Sequence, residues 1–418
     1  MSTSASRRSA PPERVHLVDA TLREGEQTPG VWLSPASKLA LVDELAAIGL
    51  ELLDACVPAV SEEEQRFLRE SSARGTRPTI GASLRLDAGD VDLAADCGCR
   101  AAFLITPASE IQRRHRLRLR RAEVEDRVRT LAERCQSRGV LPQLVLEDAS
   151  RATRDDLAGL VAAGSAAGIR RFFLCDTVGV WTPSAAAAAV RRLRRLAGPE
   201  AEIGIHCHND FGMATANTIA AIEAGARWPT VTVNGIGERA GHASFAEVAL
   251  ACSELLGLDC GVEVTALDGL ARSVEAATGI PIAVQAPILG ATAFRHESGM
   301  HVHGILREPT TYEPLAPERL GRRREIVVGK HSGRSLLRAI AESEDLEVNE
   351  EGLVRALALL KAREPSTRAA AFAEFRAERD RYLATALGLP VEAARRALLD
   401  AGAQPRVPRA RVGVLGAT

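Results

Sequence analysis

Two histidines separated by one residue, His206 and His208, lie in a short apolar stretch of the chain. Residues two apart on a β-strand point to the same face, so both imidazoles should project together from the end of a strand. Far upstream, Glu24 lies in the polar stretch Asp19–Gln27, which also follows an apolar run. Two imidazoles and one carboxylate make a metal site that leaves coordination positions open for a substrate. Mg²⁺, Mn²⁺, Fe²⁺ and Zn²⁺ all suit this mixed set of nitrogen and oxygen ligands.

Such a site requires a fold that brings distant segments together, and the chain alternates short apolar strands with helices. The eight predicted strands are Val15–Val18, Leu52–Val57, Thr79–Ser83, Ala101–Thr106, Leu144–Glu147, Arg171–Asp176, Ile203–His208 and Thr230–Asn234. Eight strand–helix units predict an α/β fold, the (β/α)₈ TIM barrel. A doubly wound sheet is the alternative, but no G-x-G-x-x-G motif follows the first strand.

The alternation of strands and helices ends near Asp259. Turn-rich polar clusters follow, and then two helical stretches at about Glu350–Arg363 and Ser366–Leu387. We therefore expect a disordered tail at residues 1–13, the barrel at 14–258, a mostly helical C-terminal subdomain at 259–402 and a flexible tail at 403–418.

The composition excludes several classes of protein. The formal net charge of −1 gives no overall field that would recruit nucleic acid or an anionic membrane. No apolar run approaches the length of a membrane span, and the opening residues lack the apolar segment of a secretory signal. The eight cysteines form no disulfide-type framework, and Cys56, Cys175 and Cys207 lie in apolar runs. Buried thiols of this kind are typical of a cytoplasmic protein.

Polar side chains follow the predicted strands one after another. They include Arg23, Glu24, Arg85, Thr106, Glu147, Arg151, Asp176, Thr177, His206, His208, Asn234 and the loop 237–241. In a TIM barrel the chemistry takes place where the strands end, so these groups should share one rim. A basic run, Arg113–Arg121, is expected to be a solvated helix flank, and contact with the phosphates of CoA or another polyanion is the alternative.

A series of motifs resembles, in order, those of the 2-isopropylmalate synthase / homocitrate synthase family. The motifs are DATLREGEQTPG, EDASRA, DTVG, HCHNDFGMATANT, NGIGERAG, HESGMHVHG, TTYE and GKHSGR, and the resemblance covers about residues 14–340. These enzymes are metal-dependent TIM barrels that condense acetyl-CoA with a 2-oxo acid and release CoA. The stretch Pro58–Glu64 and the EDASRA motif are most similar to homocitrate synthases of the nitrogen-fixation type. The resemblance thus implies an acyltransferase that uses 2-oxoglutarate.

The resemblance also implies a role for each matching residue. Glu24, His206 and His208 would hold the metal, with His242 as a further candidate ligand, and Arg23 would polarise the ketone and stabilise the alkoxide. The other candidates near the substrate are Glu147 as an acid–base group and Arg85, Arg151 and Thr177 as binding residues.

A histidine and a tyrosine beyond the barrel take the proton from the acetyl group in this family, and they reach in from the neighbouring subunit. They match His301 and Tyr312. The resemblance therefore implies a homodimer in which the C-terminal subdomain contributes to both the interface and the active site.

Some positions depart from the family pattern. His242 stands where asparagine is usual, His303 where aspartate is usual, and Asp54-Ala-Cys56 where relatives carry Glu-Val-Gly. Asp87 stands where lysine-pathway homocitrate synthases carry a substrate-facing histidine. These differences leave the oxo acid open, and phosphonopyruvate, giving 2-phosphonomethylmalate, or another acid used by a 2-alkylmalate synthase is the alternative.

Two other classes of function remain as alternatives. A CoA-thioester lyase of the same superfamily would carry a Gly-Cys-Pro loop after strand eight, where this chain has Gly-Glu-Arg-Ala-Gly at 237–241. A non-catalytic metal-binding regulator is disfavoured because Arg23, His301 and Tyr312 accompany the metal ligands.

Overall fold

The computed structural model of the 418-residue chain describes residues 14–75, 77–362, 366–386, 388 and 391–401. The two predicted tails, at 1–13 and 403–418, lie outside the described residues. The described chain divides into two compact units, which are considered separately. The first runs from residue 14 to 362 without residues 29–31, and the second comprises 29–31 and the residues from 366 onward. The predicted division at residue 258 lies within the first unit and stays a prediction.

A closed barrel of eight parallel strands is the centre of the first unit, as far as the described residues go. The strands are Val18–Asp19 (β1), Leu52–Asp54 (β2), Thr79–Leu84 (β3), Ala101–Pro107 (β4), Leu141–Glu147 (β5), Arg171–Asp176 (β6), Glu202–Cys207 (β7) and Trp228–Val231 (β8). Each strand pairs with its neighbours in sequence, and β1 closes the barrel by pairing with β8. The predicted (β/α)₈ barrel is confirmed.

Helices connect the strands and continue beyond the barrel. In the first unit they are Pro35–Ala47 (α1), Glu62–Ala73 (α2), Ala88–Asp96 (α3), Glu110–Gln112 (α4), Arg121–Ser137 (α5), Arg154–Ala166 (α6), Pro183–Ala197 (α7), Ala214–Glu223 (α8), Phe245–Leu250 (α9), Leu267–Thr278 (α10), Gly299–Ile305 (α11), Arg334–Ser343 (α12) and Glu350–Ala362 (α13). The second unit contains Ser366–Ala386 (α14) and Val391–Asp400 (α15). A two-stranded parallel sheet joins Arg295–His296 (β9) to Glu325–Ile326 (β10). The predicted helical C-terminal region is confirmed.

Local sequence signals set where the connecting helices begin. The Ser34 hydroxyl accepts a hydrogen bond from the backbone N–H of Ser37 at 3.1 Å, and Pro35 occupies the first turn of α1. Ser61 caps α2 in the same way through the N–H of Glu64, at 3.2 Å. Such caps satisfy backbone donors that would otherwise lack partners. Each helix then returns the chain to the start of the next strand.

Side chains fill the interior of the barrel. Phe103 and Phe173 meet edge to face with ring centroids 5.6 Å apart, and both are almost fully buried. Gly204 on β7 makes room for them, because a Cβ at this position would lie 2.2 Å from the ring of Phe173. The interior is therefore a packed core, and a substrate can bind only at the mouth of the barrel.

All eight cysteines lie in the described part of the chain, and all are buried free thiols, as predicted. Burial raises the pKa of Cys99 to about 12, which leaves its thiol protonated and unreactive. No helix among the described residues combines the length and the apolar character needed to cross a membrane.

Candidate active site

The strands end around a cavity of about 260 Å³ at the mouth of the barrel. Its polar lining comes from almost every strand end: Arg23, Glu24, Gln27, Asp54, Ser83, Glu147, Thr177, His206, His208, Thr230, Glu238 and Arg239. Its apolar lining consists of Val57, Phe103, Ile105, Val145, Phe173 and Cys175. The polar groups therefore face an otherwise apolar space that is large enough for a small substrate.

Three buried side chains converge on one point in this cavity. His206 is on β7, His208 follows directly after the strand, and Glu24 lies after β1. The Nε2 atoms of the two histidines are 3.4 Å apart, and His208 Nε2 lies 3.9 Å from Glu24 Oε1. One ligand atom from each residue lies within 4.8 Å of the other two, which is a spacing that one metal ion could bridge.

The protonation of these groups fits a cation. Burial lowers the pKa of both His206 and His208, so the imidazoles are neutral and present lone pairs. Burial alone would raise the pKa of Glu24, but the guanidinium of Arg23 lowers it to about 2, so the carboxylate is ionised. The Nε2 lone pairs of two neutral imidazoles therefore lie beside an ionised carboxylate oxygen, and a divalent cation would satisfy such a group of electron-pair donors.

His242 lies against this group without joining it. Its ring centroid is 4.0 Å from that of His206, its side chain is buried, and its backbone forms a bridge with His208. Neither ring nitrogen has a hydrogen-bond partner in the described part of the chain. The set of converging ligand atoms nevertheless contains only Glu24, His206 and His208 among the residues that the structure describes. The role of His242 as a ligand stays a prediction.

Arg23 is held beside the three converging groups by a residue that the sequence analysis did not place in the site. Its Nε donates to Asp54 Oδ2 at 2.8 Å, and its Nη1 donates to Glu24. Ser83 Oγ also donates to both oxygens of Asp54, at 3.0 and 2.9 Å. Asp54, at the end of β2, therefore fixes the guanidinium at the edge of the candidate metal site. A charged residue ending an apolar strand was the signal that could have identified it.

The loop after β8 positions Glu24. The backbone N–H of Glu238 donates to Glu24 Oε1 at 3.2 Å. Arg239 has a positive φ of 59° and forms two hydrogen bonds with Asp210, at 2.7 and 2.8 Å. It also donates to the carbonyl of Thr177 at 2.8 Å. Arg239 thus links the loops that follow β6, β7 and β8. The sequence motif alone did not indicate this role.

Lys38 anchors the segment that follows Glu24. It is buried within α1 and forms ion pairs with Glu26 and Glu64. Burial alone would lower the pKa of Lys38, but the two carboxylates raise it above its ordinary value, so the side chain stays charged. Because Glu26 is two residues from Glu24, this buried ion pair fixes the chain that carries the candidate metal ligand.

Two of the other candidate residues line the cavity. Glu147 ends β5 and forms an ion pair with Arg116. Burial raises the pKa of Glu147, and Arg116 opposes that rise without cancelling it. Thr177 accepts a hydrogen bond on its Oγ1 from the backbone N–H of Asp148 at 2.8 Å.

Arg85 and Arg151 are not among the residues that line the cavity. The side chain of Arg85 is 68% exposed and forms two hydrogen bonds with Asp90, at 2.8 and 2.7 Å. Arg151 donates through Nε to both oxygens of Asp148, at 2.8 and 3.0 Å. Their roles in substrate binding stay predictions.

His301 and Tyr312 lie next to each other but outside the cavity. Their rings stack with centroids 4.1 Å apart, and both side chains are exposed. Neither residue belongs to the lining of the cavity. The structure therefore brings the predicted pair together, but not to the metal candidates of the same chain.

Two family models together match most of the chain. The HMGL-like model matches residues 14–274, and the model described as "Homocitrate synthase post-HMGL domain-like" matches residues 288–366. A homocitrate synthase from Methanopyrus kandleri is 40% identical over 351 residues, which cover 84% of this chain and 88% of the relative. The chain belongs to the 2-isopropylmalate synthase and homocitrate synthase family. It is therefore an enzyme of an acyltransferase family, as its motifs predict.

Relatives named for other products are equally similar. A probable 2-isopropylmalate synthase from Ignicoccus hospitalis is 43% identical, with 77% of this chain and 81% of the relative covered. A putative (R)-citramalate synthase from Methanopyrus kandleri is 40% identical, with 84% of this chain and 69% of the relative covered. The chain spans about two thirds of the length of such citramalate synthases. Members of this synthase family condense acetyl-CoA with a 2-oxo acid, and these identities do not single out one acid.

Proposed function

We propose that this chain catalyses a metal-dependent condensation of acetyl-CoA with a 2-oxo acid and releases CoA. The observation that carries the proposal is the convergence of Glu24, His206 and His208 in the barrel mouth, with the guanidinium of Arg23 directly beside them. A 2-oxo acid offers a carboxylate and a carbonyl oxygen on neighbouring carbons, which such a site can bind together. Mg²⁺, Mn²⁺ or Zn²⁺ held there would act as a Lewis acid towards the carbonyl group.

The reaction needs four steps that balance in atoms and charge. A base removes a proton from the acetyl methyl group, and the resulting carbanion forms a bond to the carbonyl carbon of the oxo acid. The carbonyl oxygen becomes an alkoxide and then takes up a proton. Water then cleaves the thioester, which leaves a free carboxylate, the thiol of CoA and one proton that passes to solvent.

The residues of the cavity suit these events. Arg23 can donate hydrogen bonds to the developing alkoxide, and its ion pair with Asp54 keeps the guanidinium in place beforehand. The apolar wall formed by Phe103, Val145 and Phe173 lowers the local polarity, which strengthens that interaction. Glu147, whose pKa is raised by burial, is placed to exchange a proton with the thioester or with the attacking water.

The base for the acetyl group comes, in this proposal, from a second subunit. His301 and Tyr312 stack on each other, are exposed and lie outside the cavity of their own chain. This placement supports a homodimer in which residues 259–402 complete the partner's active site. The buried free thiols also support a reducing compartment, so we place the enzyme in the cytoplasm.

We propose 2-oxoglutarate as the oxo acid, which makes the chain a homocitrate synthase-like enzyme. The sequence motifs and the two homocitrate synthase relatives, at 40 and 42% identity, support this substrate. Arg151 supports this substrate too. Among the described residues, Nε is the only guanidinium nitrogen of Arg151 that has a hydrogen-bond partner, which leaves its Nη groups for a distal carboxylate. Asp148 links Arg151 to Thr177 on the cavity wall.

The cavity also favours a second candidate, a smaller acid without a distal carboxylate. Its two lining arginines are already paired, Arg23 with Asp54 and Arg239 with Asp210. The apolar wall would accept the methyl group of pyruvate, and relatives named as citramalate synthases fit such a substrate. Phosphonopyruvate is the third candidate. Its phosphonate group requires a cationic side chain near the same apolar wall, and the Nη groups of Arg151 could provide that charge.

A thiol-release assay with a panel of oxo acids separates these candidates. With a divalent metal, we expect kcat/KM for 2-oxoglutarate to exceed that for pyruvate, 2-oxoisovalerate and phosphonopyruvate by at least about tenfold. Arg151→Ala should raise KM for 2-oxoglutarate but leave KM for pyruvate unchanged. A preference for pyruvate would establish the second candidate, and no thiol release with any acid would contradict the proposed reaction.

A further inference from the structure

The segment that follows β4 is the most basic part of the rim of the cavity, and the proposed reaction assigns no role to its arginines. We infer that residues 113–120, here called the basic rim segment, bind the phosphate groups of the nucleotide part of acetyl-CoA. This inference rests on the proposed function and adds to it a binding site for the second substrate.

The basic rim segment is firmly anchored. The buried side chain of Arg113 donates to Asp156 Oδ1 at 2.9 Å and to the carbonyl of Ala108. A π-helical turn covers Arg113–Leu117, and Arg118, with a positive φ of 55°, ends it. The backbone N–H of Leu119 returns to the carbonyl of Arg113 at 3.1 Å. The exposed arginines therefore extend from a fixed backbone.

One ion pair places the segment at the mouth of the cavity. Arg116 contacts Glu147, and Glu147 lines the cavity. A ligand whose reactive end lies in the cavity can therefore extend outwards over residues 113–120. Acetyl-CoA has this form, since its long pantetheine arm separates the thioester from its phosphates.

The charge of the segment is only partly neutralised by neighbouring carboxylates. Arg114 is 72% exposed and lies 3.3 Å from Glu110, and Arg120 is 84% exposed beside Glu123. The side chain of Arg118 is exposed and has no hydrogen-bond or ion-pair partner among the described residues, whereas its backbone N–H donates to the carbonyl of Arg113. Exposed arginines that are weakly paired or unpaired remain available to an anionic ligand.

Arg118 differs in this respect from several arginines that follow other strands on the same rim, such as Arg151 after β5, which is paired with Asp148. The connection after β2 carries the acidic run Glu62–Glu64. Arg85 after β3 is paired with Asp90, and Arg239 after β8 is paired with Asp210. Phosphate groups bind arginine through charge-assisted hydrogen bonds, so the anionic end of acetyl-CoA should bind to the segment after β4.

The test compares a full substrate with a truncated one. Arg118→Asn keeps a residue that tolerates positive φ and removes the guanidinium. We expect KM for acetyl-CoA to rise at least about tenfold, as for the loss of one charge-assisted hydrogen bond, with KM for the oxo acid unchanged. With acetyl-pantetheine, which lacks the nucleotide and its phosphates, the variant and the wild type should be equal. Arg195→Ala, an exposed arginine in the last turn of α7, is the matched control and should change neither value.

Two results would overturn the inference. One is an unchanged KM for acetyl-CoA in Arg118→Asn, and the other is an equal rise with acetyl-pantetheine, which would indicate a structural effect of the substitution. Calorimetric titration with CoA alone keeps the inference testable if the proposed reaction fails. In that case Arg118→Asn must still weaken CoA binding relative to the wild type and to Arg195→Ala, and equal binding by all three would refute it.

Discussion

Replacing His208 with alanine is expected to remove the bound metal and to lower thiol release by more than about a hundredfold. Loss of a residue that only supports a metal ligand costs 10- to 100-fold in affinity or activity, so loss of a ligand should cost more. His208 is the residue whose Nε2 lies near both His206 Nε2 and Glu24 Oε1, at 3.4 and 3.9 Å. Without it, two ligands remain at the site. The metal content of the purified variant, measured by mass spectrometry, gives a readout independent of activity.

The matched control for this experiment is His16→Gln. His16 stacks on Trp228 with ring centroids 4.4 Å apart and bonds to Glu51, at the start of β1 and away from the cavity. The control should keep its metal and most of its activity, which separates loss of a ligand from loss of a histidine. Circular dichroism should report a folded barrel for both variants. A His208→Ala enzyme with full metal content and full rate would contradict the proposed site.

Replacing His301 with alanine is expected to lower kcat by about 10²- to 10⁴-fold, the usual contribution of a general base. Binding of the oxo acid should change little, because neither His301 nor Tyr312 lines the cavity that would hold it. Tyr312→Phe should show a smaller loss of kcat, since its ring still stacks on His301. Calorimetry with the oxo acid and steady-state kinetics with acetyl-CoA measure the two properties separately. Impaired oxo acid binding with an unchanged kcat would argue against the role as a base.

Complementation tests whether His301 acts in the partner subunit. The His208→Ala and His301→Ala chains should each be nearly inactive as homodimers. In a mixed dimer, the intact cavity of the His301→Ala chain would receive the intact His301 of the other chain. Random mixing of equal amounts should therefore restore roughly a quarter of the wild-type activity. No recovery after mixing, with mixed dimers demonstrated by native mass spectrometry, would place the base elsewhere.

The barrel could be predicted because its signals are local and repeated. The predicted strand Arg171–Asp176 coincides with β6, and most other strand ends differ by one to three residues. Helix α10 was not predicted, although Leu267, Leu270, Ala271 and Val274 give it a buried stripe at helical spacing. The turn-rich sequence around it obscured that period. The predicted helix at about Ser366–Leu387 agrees with α14.

The converging ligands could also be predicted, since the position of a residue at a strand end determines its place in a barrel. The pairing of charged groups could not. Arg85 and Arg239 both follow strands, yet Asp90 binds the first away from the cavity, while Asp210 and Thr177 hold the second at its edge. Which carboxylate an arginine meets depends on side-chain geometry that the periods of strands and helices do not specify, whether the two residues are close in sequence, as Arg85 and Asp90 are, or far apart, as Arg239 and Asp210 are. The same reason explains why Asp54, the partner of Arg23, was noticed only as a departure from the family pattern.

Anomalous X-ray scattering from crystals grown with Mn²⁺ or Zn²⁺ would test the proposed metal site most directly. One strong peak should lie about 2.0–2.2 Å from an oxygen of Glu24 and from the Nε2 atoms of His206 and His208. Addition of the preferred oxo acid should then place its carboxylate and carbonyl oxygens on the open side of that ion. A peak bound by other residues, or an oxo acid bound away from the metal, would contradict the account.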